Sequence, residues 1–119
     1  MTVPHLLIDD GFCDHPSIRG LSDAAFRLHV AGMNRCARYL TDGVILADDV
    51  PDLVRRYRPK ALAELIEKGR WAPIGDMAYM VVGYLDHNDS RAIVEERRRK
   101  KAERQAKWLA KAAVERSEP

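Results

Sequence analysis

At 119 residues the chain has room for one modest hydrophobic core and not for two independent domains. With 46% apolar and 32% charged residues it sits with folded, charge-rich globular chains, no apolar run approaches the roughly 20 residues that cross a bilayer, and Cys13 and Cys36 alone make no disulfide framework. The formal charge of +2 hides a polarity, because residues 1–89 carry 10 Lys/Arg against 13 Asp/Glu and residues 90–119 carry 10 against 5.

A basic end on a mildly acidic body suits contact with a polyanion, with nucleic acid favoured over an anionic membrane. The N-terminus lacks the basic-then-apolar pattern of a secretory signal, so a cytoplasmic location is expected.

In chain order, His5-Leu6-Leu7-Ile8-Asp9, stopped by Asp10-Gly11, reads as a brief strand or extended segment. His15-Pro16 and Arg19-Gly20 punctuate a loop before Ser22, a candidate N-cap. From Asp23 to Tyr39 the residues Phe26, Val30, Met33, Ala37 and Leu40 recur at steps of four, three, four and three, and Leu28 and Cys36 widen the stripe. That spacing predicts an amphipathic helix with a broad buried face, in which Cys36 is a small buried thiol and His29 a partly buried packing residue. Thr41-Asp42-Gly43 ends the helix, and Val44-Ile45-Leu46 follows as a short extended piece.

Asp48-Asp49 caps a predicted second helix with Pro51 in its first turn and Val50, Leu53 and Val54 inward, broken at Arg58-Pro59. A third helix is expected from about Pro59 through Ala61, Leu62, Leu65 and Ile66 to a C-cap at Gly69. Trp71–Ile74 and Met77–Val82 around Gly75-Asp76 form a predicted hairpin. Tyr84-Leu85 closes the body, and Ser90 caps a long helix from Arg91 to about Arg116, rich in Ala, Glu, Arg, Lys and Gln and free of breakers.

Three helices and a hairpin in this order make an α+β, mainly α arrangement of winged helix-turn-helix type with a long basic C-terminal helix, divided into a body of residues 1–86 and a helix of residues 87–119. The wording of the chain carries a further likeness. Leu21-Ser22-Asp23-Ala24-Ala25-Phe26-Arg27-Leu28, Cys36-Ala37-Arg38-Tyr39-Leu40-Thr41-Asp42-Gly43-Val44-Ile45, Gly69-Arg70-Trp71 and Tyr84-Leu85-Asp86-His87-Asn88 resemble the winged-helix domains of actinobacterial phage and prophage replication-type or helix-turn-helix proteins. Asp89 stands where that pattern has a proline. The resemblance implies a DNA-binding protein in the cytoplasm of a bacterial host cell, with a part in transcription regulation or DNA replication.

In a winged helix the third helix normally faces the major groove, which makes Arg55, Arg56, Arg58, Lys60 and Lys68 candidates for contact with double-stranded DNA. Glu64 and Glu67 lie on the same helix, and it lacks the Asn, Gln, Ser and Arg cluster of sharp base readout, so base reading and backbone contact both stay open. On the last helix, Arg97, Arg98, Arg99, Lys100 and Lys101, followed by Arg104 and Lys107, are candidates for neutralising phosphates; the competing reading is a solvated face in which Glu95, Glu96 and Glu103 supply intrahelical pairs. Ala102, Ala106, Leu109 and Ala113, with Trp108 beside them, either pack on the body or form a homodimer seam.

Cys13-Asp14-His15 has no second Cys/His pair at ligand spacing, and no nucleophile elbow, phosphate-binding glycine loop or paired acid-base signature is present. The expectation is a non-catalytic protein without metal or cofactor. A protein-protein interaction module, binding a host or phage partner without touching DNA, is the alternative.

Overall fold

A computed structural model describes residues 5–117. The body is organised by α2, Asp23–Tyr39, which Ser22 caps by accepting the Ala25 N–H on its Oγ at 3.2 Å. The helix stops at Leu40, whose left-handed φ of 54° is followed by 55° at Asp42 and 90° at Gly43. A Cβ at Gly43 would meet Tyr84 Cβ at 2.9 Å, so space and backbone both require glycine there.

The buried stripe of α2 is rotated from the expected one. Its centre is Ala25, Leu28, Gly32 and Cys36, with His29 and Met33 beside them, while Phe26 and Val30 are only half-buried. The cause is Trp71, whose indole lies across Gly32 so closely that a Cβ on this glycine would sit 2.5 Å from Trp71 Cζ2 and 2.9 Å from Ile45 Cδ1. An apolar count along the helix treats Gly32 as a blank. Packing makes it the socket for the largest buried side chain of the core.

Trp71 also makes a polar contact deep in this core, its Nε1–H donating to His29 Nδ1 at 2.9 Å. The acceptor nitrogen must be unprotonated, so His29 is neutral with its proton on Nε2. Phe12, in a short 3₁₀ turn over Phe12–Asp14, stacks on the imidazole at 5.9 Å and 22°. Burial, with the positive charge of Arg70 adding to it, lowers the pKa of His29 to about 4.

Strands β1, Val44–Leu46, β2, Trp71–Ile74, and β3, Ala78–Val81, form an antiparallel sheet in the order β1-β3-β2, with Ile45 opposite Tyr79 and Trp71 opposite Val81. The predicted hairpin is present, and the extended piece at Val44–Leu46 pairs with its second strand. Pro73 is tolerated because β2 is an edge strand. Ile45, Trp71 and Val81 are the buried face, set against Leu28 and Cys36 of α2. The buried Cys36 thiol donates to the Val44 carbonyl at 3.8 Å, and desolvation raises its pKa.

Helix α3 runs Pro59–Glu67 as expected and ends at Gly69, φ 72°, where the Arg70 N–H returns to the Leu65 carbonyl at 2.8 Å. The second predicted helix is a correction: Ala47–Asp52 is a 3₁₀ turn, residues 53–56 are bends and turn, and 57–58 have no regular structure. Pro51 has no N–H to give the Ala47 carbonyl, and Arg58 is driven to extended backbone by the proline after it. Asp48 and Asp49 cap nothing; Leu46 is the N-cap, and Asp49 instead faces Arg35 at 3.5 Å.

Residues 5–9 have no regular secondary structure and are no part of the sheet. They are held by the buried Asn88 side chain, whose Oδ1 accepts the Leu7 N–H at 2.8 Å while its Nδ2 donates to the Tyr84 carbonyl at 3.3 Å. Two single helical turns, α1 at Pro16–Arg19 and α4 at Tyr84–His87, occupy stretches read as loop and closing segment. Helix α5, Arg91–Ser117, begins where Ser90 Oγ accepts the Ile93 N–H at 3.3 Å, and its 27 residues give the molecule a long axis of 71 Å against 31 and 24 Å. No helix among the described residues is long and apolar enough to cross a membrane.

Two stability outcomes follow from the Trp71 socket. Gly32→Ala gains about 1 kcal/mol of helix propensity but forces a methyl into a filled site, and urea unfolding should show a net loss of roughly 1–3 kcal/mol. The folded pKa of His29, about 4, lies below its ordinary 6.5, so the unfolded chain takes up the proton first as pH falls. Stability present above pH 6.5 drains between there and about 4; wild type should lose roughly 2–3 kcal/mol more than His29→Gln between pH 7 and 4.5.

Candidate nucleic-acid interface

Seven of the twelve basic candidates line two clefts, one near each end of α2. At its N-terminal end, Arg55, Arg56 and Arg58 of the turn ahead of α3 line a cleft of about 660 Å³ together with Arg27 of α2. The floor is apolar, with the fully buried Leu28 and the buried Ala61 at its base and Val54 and Tyr57 on its side. Asp23 is the one carboxylate among the lining residues. None of the four arginines enters an ion pair among the described residues, and all four are exposed.

Arg27 was not among the residues singled out from sequence. It stands on the polar side of an amphipathic helix, and only the turn of residues 53–58 folding beside the first turn of α2 shows what it faces. The other α3 candidates stand apart from this cleft. Lys60 is exposed on the first turn of α3, and Lys68 sits at the far end, its Nζ 3.6 Å from where a Cβ on Gly20 would be.

Glu64, which counted against DNA contact, is directed elsewhere: its Oε2 accepts the Ser22 N–H at 2.7 Å and ties α3 to the start of α2. Glu67 remains exposed on α3.

The second cluster belongs to α5. Arg97, Arg98, Lys101 and Arg104 line a cleft of about 570 Å³ whose apolar side is made by Leu7, Ala37, Leu40, Tyr84 and Val94. Burial is the main reason the Tyr84 hydroxyl has a pKa of about 12. Part of the basic run is paired with neighbouring carboxylates, as the solvated-face reading expects. Arg99 is bracketed by Glu96 and Glu103, Arg91 pairs with Glu95 at 2.8 Å, and Arg97 pairs with Asp89. Hydrogen bonding from Arg99 lowers the Glu96 pKa. Arg98, Lys100, Arg104 and Lys107 are in no ion pair among the described residues. Exposed pairs of the first kind contribute about 0–1 kcal/mol and exchange readily for a phosphate.

The apolar residues of the distal rod do not return to the body, since Trp108 is 66% and Leu109 56% exposed. The rod is fixed at its base instead. Asp42, in left-handed backbone, accepts the Arg91 N–H on Oδ1 at 2.6 Å, and Val94 is half-buried at the second cleft.

The two clefts do not share a face. Ala24, Arg27 and Leu28 border the first and Ala37 the second, and at 100° and 1.5 Å per residue Ala37 lies on the other flank of α2 from Ala24 and Leu28, roughly 13–20 Å away along the axis. Among the described residues no group of three or more His, Cys, Asp or Glu side chains is placed to hold a metal ion. No protein-family model, curated protein or solved structure matches the chain.

The anchoring of the rod is testable. Asp42→Ala should cost about 1–2 kcal/mol and speed hydrogen exchange of the Arg91 amide, through a lost cap and an alanine at positive φ. Asp42→Asn, which keeps an acceptor and tolerates that backbone, should retain most of the protection.

Proposed function

We propose that this chain is a winged-helix DNA-binding protein of the phage type, regulatory or replication-associated and non-catalytic, that grips duplex DNA by its phosphates through the α3 side of its body and through α5. The reading rests on the resemblance in its residues and on the order of elements, in which α2, β1, α3 and the β2–β3 hairpin follow one another in winged-helix order, with the 3₁₀ turn Ala47–Asp52 in the place of the second helix. In that arrangement α3 is the groove-facing helix and the hairpin is the wing.

The single observation that carries the reading is the set of exposed cations that enter no close ion pair among the described residues, Arg27, Arg55, Arg56 and Arg58 at one end of α2 and Arg98, Lys100, Arg104 and Lys107 on α5. Like charges gathered at this density repel one another, and a polyanion relieves the repulsion while releasing its own counterions. Backbone contact rather than base readout fits this surface, which offers arginines around a cleft and few amide or hydroxyl groups on α3.

Because the clefts occupy opposite flanks, a straight duplex on the α3 side leaves α5 on the other. Contact by both needs DNA curved around the body or a second segment of DNA. The partner-protein reading draws on a different observation, the exposed Trp108 and Leu109, which suit a second chain on the distal rod, either a copy of this one or a host or phage protein.

Fluorescence anisotropy with a random-sequence duplex over a salt series tests the proposal. Affinity should fall steeply with salt, and replacing Arg98, Lys100, Arg104 and Lys107 together by Gln should make the log–log slope shallower by about 2–4. An unchanged slope removes α5 from the interface. No binding by the full chain at low salt hands the case to the partner-protein reading.

A further inference from the structure

The cleft beside the first turn of α2 has a composition that general electrostatic attraction does not require. All four of its cations are arginine, although lysines stand nearby at 60 and 68 outside it. They come from three supports: Arg27 from a long helix, Arg55 and Arg56 from the turn, and Arg58 from the N-cap of α3. The buried Leu28 and Ala61 hold these supports together.

A guanidinium presents donors in a planar fork that matches two phosphate oxygens at once, whereas an ammonium acts as a point charge. The first turn of the 17-residue α2, where Ser22 Oγ takes the Ala25 N–H, borders the same cleft and adds the positive end of the helix dipole. Asp23 offsets one of the four charges.

We propose that this cleft is a phosphate-binding site in its own right, with Arg27 as a binding residue alongside Arg55, Arg56 and Arg58. Its ligand is a phosphate group, held by guanidinium forks without reference to base sequence. The source it is built for is the nucleic-acid backbone, and in that respect it rests on the function proposed above. The phosphate chemistry stands independently of it.

The test uses the full chain in two measurements. The first is anisotropy with a random 20-base-pair duplex at low salt, comparing wild type with Arg27→Gln and Arg27→Lys. Glutamine and lysine both suit an exposed helix position, so the fold should hold. Arg27→Gln should weaken binding about 5–10-fold and lower the salt slope by about 1, and Arg27→Lys should recover the slope but not the full affinity, because it keeps the charge and loses the fork. The second follows arginine side-chain Nε–H signals by NMR during titration with inorganic pyrophosphate, with sodium chloride of equal ionic strength as control. The Arg27 signal should move and saturate with pyrophosphate alone.

Duplex binding unaffected by Arg27→Gln, with an Arg27 signal indifferent to pyrophosphate, overturns the site and leaves the DNA reading standing. A saturating Arg27 signal without any duplex binding keeps the site, assigns it another phosphate source and removes the DNA reading. Neither response overturns both. Should Arg27→Gln lose its melting transition, Arg56→Gln in the exposed turn carries the same comparison.

Discussion

The arrangement of this molecule hangs on an indole set into a notch with no side chain. Trp71 is separated from the end of α3 by three residues and begins β2, so wherever its ring goes, the end of α3 and the edge of the sheet must follow. The ring goes to Gly32, the only position on the inner side of α2 where the helix backbone can be approached that closely. His29, one turn earlier, accepts the indole N–H, so this large buried residue enters the core without an orphaned donor. The orientation of α3 against α2, and with it the cleft between the first turn of α2 and the residue 53–58 turn, is a consequence of that seating.

Much of this was legible in the residues, and for reasons that can be named. The limits of α2 followed from Ser22 and Asp42-Gly43, which act through their own backbone and side-chain chemistry wherever they occur. The end of α3 at Gly69 and the start of α5 at Ser90 were readable in the same way. The misreadings come where a distant partner decides. An apolar stripe along α2 gave Phe26 and Val30 too much weight, because the position that matters most to packing, Gly32, contributes no hydrophobicity. The stretch of 48 to 58 had helix signals at both ends, but Pro51 falls where a second turn would need its N–H, and a 3₁₀ turn results.

Of the candidate site, the cations themselves were legible and their grouping was not. Nothing in the local sequence tells that Arg27 and Arg56 line one cleft, that Glu64 is drawn to the Ser22 amide, or that Asp89 meets Arg97. These are contacts across folded elements, and they redistribute a charge pattern that looks continuous along the chain into two basic surfaces facing apart. The carboxylates that pair with the rod in the ion pairs seen among the described residues are Glu95, Glu96 and Glu103 within it and Asp89 just before it, and they meet Arg91, Arg97 and Arg99. A rod anchored at its base by Asp42 and Val94, with Trp108 exposed further out, keeps its remaining charge accessible.

The central claim is that two basic surfaces on opposite flanks of α2 meet phosphate while the Trp71 socket between them stays as it is. A titration of ¹⁵N-labelled chain with a random-sequence duplex, followed through backbone and indole N–H signals, reads both surfaces and the socket in one experiment. The account predicts shifts at Arg27, at 55–58 and along 91–107, with the Trp71 indole and Gly32 amide unmoved. Shifts confined to the distal residues around Trp108, or spectra unchanged at low salt, would contradict it.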